Sequence, residues 1–174
     1  AMHYYATHPM SHYGKGQVSC DFCGLARDEF AKETGAPQLY FTGGAGNISA
    51  GKYNNGSLEM RPILTGRMLD GMRQAFKNSS RQLLEFVEWQ ALPVQLPPRV
   101  EQPRQFYDDL FRDSKNNAAM QTWGAMGLAW LNRIEAVPDV IDLTCLHLND
   151  ARVVHLPGEP FVEYQLFAQK IASE

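Results

Sequence analysis

Short segments rich in β-branched and aromatic residues alternate along this chain with longer segments whose apolar residues have helical spacing. The pattern predicts strands at 3–7, 38–42 and 83–96, a hairpin of strands at 140–148 and 152–156, and helices at 21–34, from 61 onward, at 105–131 and at 161–172. The range 105–131 fits one helix or two helices separated near 116–117. This alternation favours an α/β domain with a mixed β-sheet flanked by helices, with α+β as the alternative.

Local signals fix several of the predicted boundaries. Asp21 or a neighbouring residue can cap the first helix, and Gly35 is suited to end it because glycine tolerates a left-handed backbone. Pro62 is suited to the first turn of the next helix, and Asn149 followed by Asp150 is typical of a tight hairpin turn. These signals therefore support the predicted positions of the elements and of the hairpin turn.

Composition excludes several classes of protein. Its 174 residues are 44% hydrophobic, which is enough to fill a core, and we expect a single domain over 1–174. A net charge of −3 gives no excess of positive charge for binding nucleic acid. No apolar run approaches the roughly 18 residues of a membrane span, and the first thirty residues lack a signal-peptide pattern. We expect a soluble chain and leave its compartment, including export of a longer parent, open.

The three cysteines do not form a complete disulfide or metal pattern. An odd number cannot all pair with one another, and the C-x-x-C spacing of Cys20 and Cys23 is not followed by a second pair of ligands. We interpret Cys20 and Cys23 as structural thiols at the start of a helix.

The loop after the second strand is rich in glycine and permits three interpretations. Residues 46–52 (GNISAGK) match G-x-x-x-x-G-K, the motif of a phosphate-binding loop, but Tyr53 replaces the Ser or Thr that should hold magnesium. The helix that should follow at once begins several residues later, which disfavours nucleotide binding. Alternatively, Ser49 is an exposed reactive hydroxyl with nearby amides as oxyanion donors, or the loop is a tight turn without chemistry.

Three segments, in this order, resemble the neutral/alkaline non-lysosomal ceramidase family. Residues 4–11 (YYATHPMS) are similar to that family's strand ending in His-Pro-x-Ser. Residues 41–49 (FTGGAGNIS) resemble the region of its Gly-Asp-Val-Ser-Pro-Asn hexapeptide, and residues 156–161 (LPGEPF) resemble its Pro-Gly-Glu-Phe turn. The resemblance implies a zinc-dependent hydrolase of linear amides, acting on N-acylsphingosine-type lipid amides or on another small amide.

The same resemblance implies roles for individual residues. His8 and Glu159 would be zinc ligands, and Ser49 would be the active-site hydroxyl. Asn47 stands where the family's hexapeptide has aspartate. The surrounding loop, with Gly44, Gly46 and Lys52, would contact the substrate and its oxyanion.

The chain also departs from the family pattern. The segments that carry the family's second histidine ligand and its tyrosine ligand are not matched, so we expect a truncated part of a larger catalytic domain, inactive or incomplete by itself. His12 or His155 could supply a third ligand, although each also fits an ordinary loop or strand position. A non-catalytic binding or structural domain is the alternative function. We further expect an exposed apolar sheet edge, masked by formation of a homo-oligomer.

Overall fold

The computed structural model describes residues 1–16, 18–97, 100–137 and 140–173. Its strands and helices, in chain order, are β1 (Met2–Tyr5), α1 (Asp21–Thr34), β2 (Leu39–Thr42), a 3₁₀ turn (Gly51–Tyr53), α2 (Met60–Lys77), β3 (Val87–Gln95), α3 (Arg104–Arg112), α4 (Ala118–Ala136), β4 (Val140–Leu148), β5 (Ala151–His155) and α5 (Val162–Ser173). None of the described helices is both long enough and apolar enough to span a bilayer. The chain divides into two compact units: unit 1 is 1–84 with 156–174, and unit 2 is 85–155.

Unit 1 is built on a β-α-β arrangement. Strands β1 and β2 are parallel, with Met2 opposite Leu39 and Tyr5 opposite Thr42, and α1 makes the crossover between them. Parallel neighbours need such a crossover because a tight turn cannot join them. Gly35 ends α1 in the left-handed conformation at φ 62°, as the sequence predicts.

Helices α1 and α2 pack together and supply the core of unit 1. Phe22 and Leu64 meet at one end of this interface, and Ala26, Phe30 and Met72 meet at the other. Tyr40 of β2 packs against both clusters, so the small sheet is joined to the helix pair. The apolar spacing that predicts α1 and α2 therefore also marks most of the core. Helical spacing also predicts Leu25 on the apolar face of α1, with Ala26 and Phe30, but Leu25 is exposed.

Unit 2 combines an antiparallel sheet with a pair of helices. The strand order is β3-β4-β5, and the β4–β5 turn uses Asn149 at φ 51°. The range predicted as one helix or two is two, because Asn117 caps α4 by accepting a hydrogen bond from the Met120 amide. All residues of β3 except Val94 are exposed.

The predicted α/β class is confirmed, but the predicted arrangement of strands is wrong in one respect. Within the described ranges the strands form a parallel pair and a separate antiparallel sheet, not one mixed sheet. The separation follows from local pairing: β1 and β2 are joined through α1, whereas β4 pairs along its length with β3 and with the adjacent hairpin strand β5.

Candidate functional site

The His-Pro-Met-Ser segment is held in unit 1 by hydrogen bonds from distant parts of the chain. The backbone amide of Ser11 donates to the Asp21 carboxylate at 3.0 Å, and its hydroxyl accepts from Arg61 Nε at 3.1 Å. Asn54 Nδ2 donates to the carbonyls of Met10 and Ser11. Ser11 is only 1% exposed, so these contacts fix the backbone just after His8.

The glycine loop packs closely against the turn and helix at 159–165. A Cβ atom at Gly46 would collide with the Glu159 carbonyl oxygen, and one at Gly44 would lie 3.2 Å from the Phe161 carbonyl oxygen. Side chains at these positions would therefore push the two segments apart. The glycines allow the close approach that brings Glu159 to the loop.

Asn47 connects the same two segments. Its Oδ1 accepts from the Val162 amide at 3.0 Å, which satisfies a free donor at the start of α5, and its Nδ2 donates to Glu163 Oε2 at 2.9 Å. An aspartate could make the first contact but would repel Glu163 in place of the second. The two hydrogen bonds give Asn47 a structural role in this chain.

His8 and Glu159, 151 positions apart in sequence, meet at this junction. His8 Nε2 lies 3.3 Å from Glu159 Oε2, and His8 Nδ1 lies 3.0 Å from the Ile48 carbonyl oxygen. A carbonyl can only accept, so Nδ1 is the donor in that contact. Two states of the ring then fit the contact with Glu159. In one, Nε2 is also protonated, so the ring is an imidazolium that donates to the carboxylate; in the other, Nε2 is unprotonated and its lone pair binds a cation that Glu159 also binds.

The electrostatics favour the charged form of the imidazole. The hydrogen bond to the Ile48 carbonyl, followed by the contact with Glu159, raises the pKa of His8 above its ordinary value. Glu159 is largely exposed, with 77% of its side chain accessible, so water weakens the ion pair.

The geometry of the pair also fits two ligands of one zinc ion. Ligand atoms about 2.1 Å from a tetrahedral zinc lie about 3.4 Å from each other, close to the 3.3 Å that separates Nε2 and Oε2. Metal-bound histidines commonly donate their other ring N–H to a backbone carbonyl, as His8 does to Ile48. Across the described parts of the chain, however, no group of three His, Cys, Asp or Glu side chains is arranged to hold a metal.

The remaining predicted residues lie around the pair with different partners. Ser49 forms a parallel β-bridge with His8, and its Oγ lies 3.4 Å from the Gly51 amide. Lys52 places its ammonium group over the Tyr53 ring, 5.3 Å from the centroid. The amides predicted as oxyanion donors are engaged: Gly44 donates to Gln165 Oε1 and Gly46 donates to the Pro160 carbonyl.

Neither additional histidine completes a three-ligand cluster. His12 has a buried Nε2 without a hydrogen-bond partner among the described residues. His155 belongs to the sheet of unit 2, where it contacts Thr144 Oγ1 at 3.3 Å and the Trp89 ring at 5.3 Å. The strand interpretation of His155 is therefore confirmed.

The cysteines and the G-x-x-x-x-G-K motif lie where the sequence predicts them, with Cys20 and Cys23 at the start of α1 and the motif in the loop after β2. The three cysteines are free thiols, with Cys23 buried beside the α1–α2 contact and Cys20 exposed at the start of α1. After the motif comes the 3₁₀ turn, and α2 begins only at Met60, so no helix N-terminus follows the loop directly.

The sequence patterns do not single out the residues that hold the site together. Hydrogen bonds to segments at least 43 residues away position the glycine loop and the His-Pro-Met-Ser segment. The side chains that make them are those of Gln165, Glu163, Asn54 and Arg61. In the sequence these residues are only polar side chains in or near loops. That feature does not distinguish a side chain that anchors a distant segment from one that is solvated.

No family model, curated protein or solved structure matches the chain.

Proposed function

We propose that the His8–Glu159 junction is part of the metal site of a zinc-dependent amide hydrolase related to neutral ceramidase. The observation that carries this proposal is the 3.3 Å separation of His8 Nε2 and Glu159 Oε2, with His8 Nδ1 oriented by the Ile48 carbonyl. The three segments that resemble the family converge on this junction. Their convergence supports the resemblance independently of the order of the motifs.

Different residues of the chain would bind the zinc ion and contact the substrate. His8 and Glu159 would hold the zinc ion, which supplies a Lewis acid that polarises an amide carbonyl and activates water. Ser49, fixed in register with His8 by the β-bridge, would present a hydroxyl to the substrate. A catalytic zinc takes three protein ligands, and the described residues supply two, so we expect weak zinc binding and slow hydrolysis by this chain.

Zinc binding tests the ligand assignment directly. The metal-free chain would be titrated with zinc against a chromophoric chelator, in a Cys20→Ser background that removes the exposed thiol. We expect His8→Ala and Glu159→Ala each to weaken binding by about tenfold or more. His155→Ala is the matched control, because His155 already has partners in unit 2, and it should leave the affinity unchanged. Binding that survives both site substitutions would overturn the assignment.

A non-catalytic domain is the second candidate, and a specific observation favours it. Asn47 and the amides of Gly44 and Gly46 are all engaged in holding α5 and its preceding turn, which leaves them unavailable to a substrate. If the chain binds no zinc, yet His8→Ala and Glu159→Ala lower its thermal midpoint, the pair acts as a structural tie. Zinc-dependent hydrolysis of an N-acyl amide that is lost in Ser49→Ala would exclude this alternative.

A further inference from the structure

A cleft of about 860 Å³ in unit 1 adjoins the His8–Glu159 junction. Thr7, Ile48 and Ser49 are among the residues that line it. The Ile48 carbonyl accepts from His8 Nδ1, and Ser49 forms the β-bridge with His8. A molecule in the cleft would therefore contact Ser49 and lie beside the proposed zinc site.

The charged side chains that line this cleft are cationic. Lys52 and Arg67 line it, and its described lining includes no aspartate or glutamate. Among the described residues, no carboxylate lies within ion-pair distance of either cation, whereas Arg27 and Arg73 of the same unit are paired with acidic side chains. A chain with a net charge of −3 thus places two positive charges without acidic partners in one cleft.

Tyr53 holds these two cations close together. The Lys52 ammonium nitrogen lies 5.3 Å from the centroid of the Tyr53 ring, and the Arg67 guanidinium carbon lies 5.5 Å from it. An aromatic face attracts a cation through its quadrupole but carries no net charge. The ring therefore positions both groups without neutralising them, so both positive charges remain available to a ligand.

Most of the remaining lining is apolar. Met2, Tyr4 and Tyr5 of β1 line the cleft, and each is about half exposed. Met68 and Ala75 of α2 line it as well. A simple inorganic anion would leave these side chains in water, whereas an anion with an apolar chain would cover them.

We propose that the cleft binds a linear amide with an anionic group beside the amide, the chemical class of the N-acyl amino acids. The carboxylate would contact Lys52 and Arg67, the amide would face Ser49, and the acyl chain would lie along β1. Ser49 and Lys52 are close in sequence, on either side of the start of the 3₁₀ turn, which suits a carboxylate one carbon away from the amide nitrogen. The role of the amide rests on the proposed function, whereas the preference for an anion rests on the cleft alone. N-acylsphingosine is uncharged, so this substrate class differs from the lipid amide that the family resemblance implies.

Binding of two matched amides to the zinc-free chain tests this preference. N-dodecanoylglycine and N-dodecanoylethanolamine share an acyl chain and an amide, but the first ends in a carboxylate and the second in a hydroxyl. By isothermal titration calorimetry at low salt, below the micellar concentration, we expect the glycine amide to bind about tenfold more tightly. Added salt should reduce this preference because both cations are exposed. Equal affinities, a preference for the neutral amide, or no binding of either amide would overturn the proposal.

Substitutions of the two cations identify the source of the preference. Arg67→Gln and Lys52→Gln should each weaken binding of N-dodecanoylglycine by about threefold and leave N-dodecanoylethanolamine unchanged. Arg67→Lys keeps the charge and should retain most of the preference. Lys77→Gln is the matched control, because Lys77 is an exposed cation of α2 that does not line the cleft. Circular dichroism would check that each variant folds. A loss in Lys77→Gln as large as that in Arg67→Gln would contradict the assignment to the cleft.

These measurements separate the preference for an anion from the zinc site. If the zinc-free chain prefers the glycine amide, but its zinc affinity does not depend on His8 or Glu159, the cleft assignment stands and the zinc site is rejected. If zinc binding depends on both residues, but the two amides bind equally well, the preference for an anion alone is rejected.

Discussion

Unit 1 and unit 2 have similar kinds of secondary structure but very different interiors. Unit 1 buries a set of side chains between α1 and α2, including Phe22, Phe30 and Met72. In the described part of unit 2, the buried residues are Gly124 and Leu131. Its nine-residue β3–β4 pairing is regular, yet β3 is exposed at all but one residue. Regular main-chain pairing therefore does not by itself provide a core.

The difference indicates where each unit obtains its stability. Unit 1 has a hydrophobic core of its own, which supports the loops that position His8. Unit 2 depends mainly on the β ladders and on the close contact between α3 and α4, so its stability should be lower. The three tryptophans, Trp89, Trp123 and Trp130, all belong to unit 2. Tryptophan fluorescence therefore reports on unit 2, while reactivity of the buried Cys23 thiol reports on unit 1.

The largest expected effect comes from truncating the core of unit 1. Phe30 is 2% exposed and makes edge-to-face contacts with His3 and Phe76, so Phe30→Ala should cost about 3–5 kcal/mol of unfolding free energy. Trp89 is 58% exposed, so Trp89→Ala should cost under about 1.5 kcal/mol.

Urea unfolding followed by both probes measures these two substitutions. Phe30→Ala should shift the transition seen by Cys23 alkylation and leave the tryptophan transition nearly unchanged. If both transitions shift by the same amount, the two units unfold together and the comparison between them fails.

The sequence was sufficient for features that depend on neighbouring residues. The C-terminal end of α1 follows from Gly35, and the hairpin turn follows from Asn149. The predicted side-chain cap at the start of α1 is not formed, because the N-cap residue is Cys20 and no described side chain caps the helix. The exposure of Leu25 and the separation of the strands into two sheets depend on which elements meet in three dimensions. Helical spacing alone does not contain that information.

The candidate site shows the same limit. The contact of His8 with Glu159 was anticipated only through the resemblance to a family, because 151 positions separate the two residues. Their place in a motif predicts chemical roles for Asn47 and Gly46. Their contacts with Val162 and with the Glu159 carbonyl show that packing also accounts for them.

A smaller effect should come from the helix contact on which unit 2 depends. A Cβ atom at Gly124 of α4 would lie 2.6 Å from the Phe111 amide nitrogen and 2.7 Å from the Tyr107 carbonyl oxygen. Because both atoms belong to the backbone of α3, Gly124→Ala must separate the helices and should cost about 1–3 kcal/mol.

Gly66→Ala in unit 1 is the matched control for that substitution. Gly66 lies within α2, and apart from the helix's own nearby backbone no described heavy atom lies within 4 Å of the added methyl group, so the variant should gain roughly 0.5–1 kcal/mol from helix propensity. Tryptophan fluorescence should detect the loss in Gly124→Ala. An unchanged midpoint for Gly124→Ala would mean that the α3–α4 contact contributes little to unit 2.

The smallest expected effect is a loss of stability of unit 1 in alkali. Burial raises the pKa of the Cys23 thiol to about 11, and burial likewise raises the pKa of Tyr40, which packs beside it. A thiol with a raised pKa is neutral in the folded state but ionises more readily in the unfolded chain. The contribution of the buried neutral thiol to the stability of unit 1 is therefore complete at pH values below about 9, the pKa of the thiol in the unfolded chain. It declines as the pH rises toward 11. Between pH 8 and pH 10 the loss should be about 1 kcal/mol.

Urea unfolding followed by circular dichroism at the two pH values measures this loss, and Cys23→Ala tests its cause. Alanine keeps a small apolar side chain in the α1–α2 contact but cannot ionise, so the variant should be less stable at pH 8 and less sensitive to pH up to 10. Tyr40 should account for the sensitivity that persists at higher pH. An equal loss in Cys23→Ala would mean that other groups determine the alkaline stability. The core of unit 1 would then be less closed to water than the 1% exposure of Cys23 indicates.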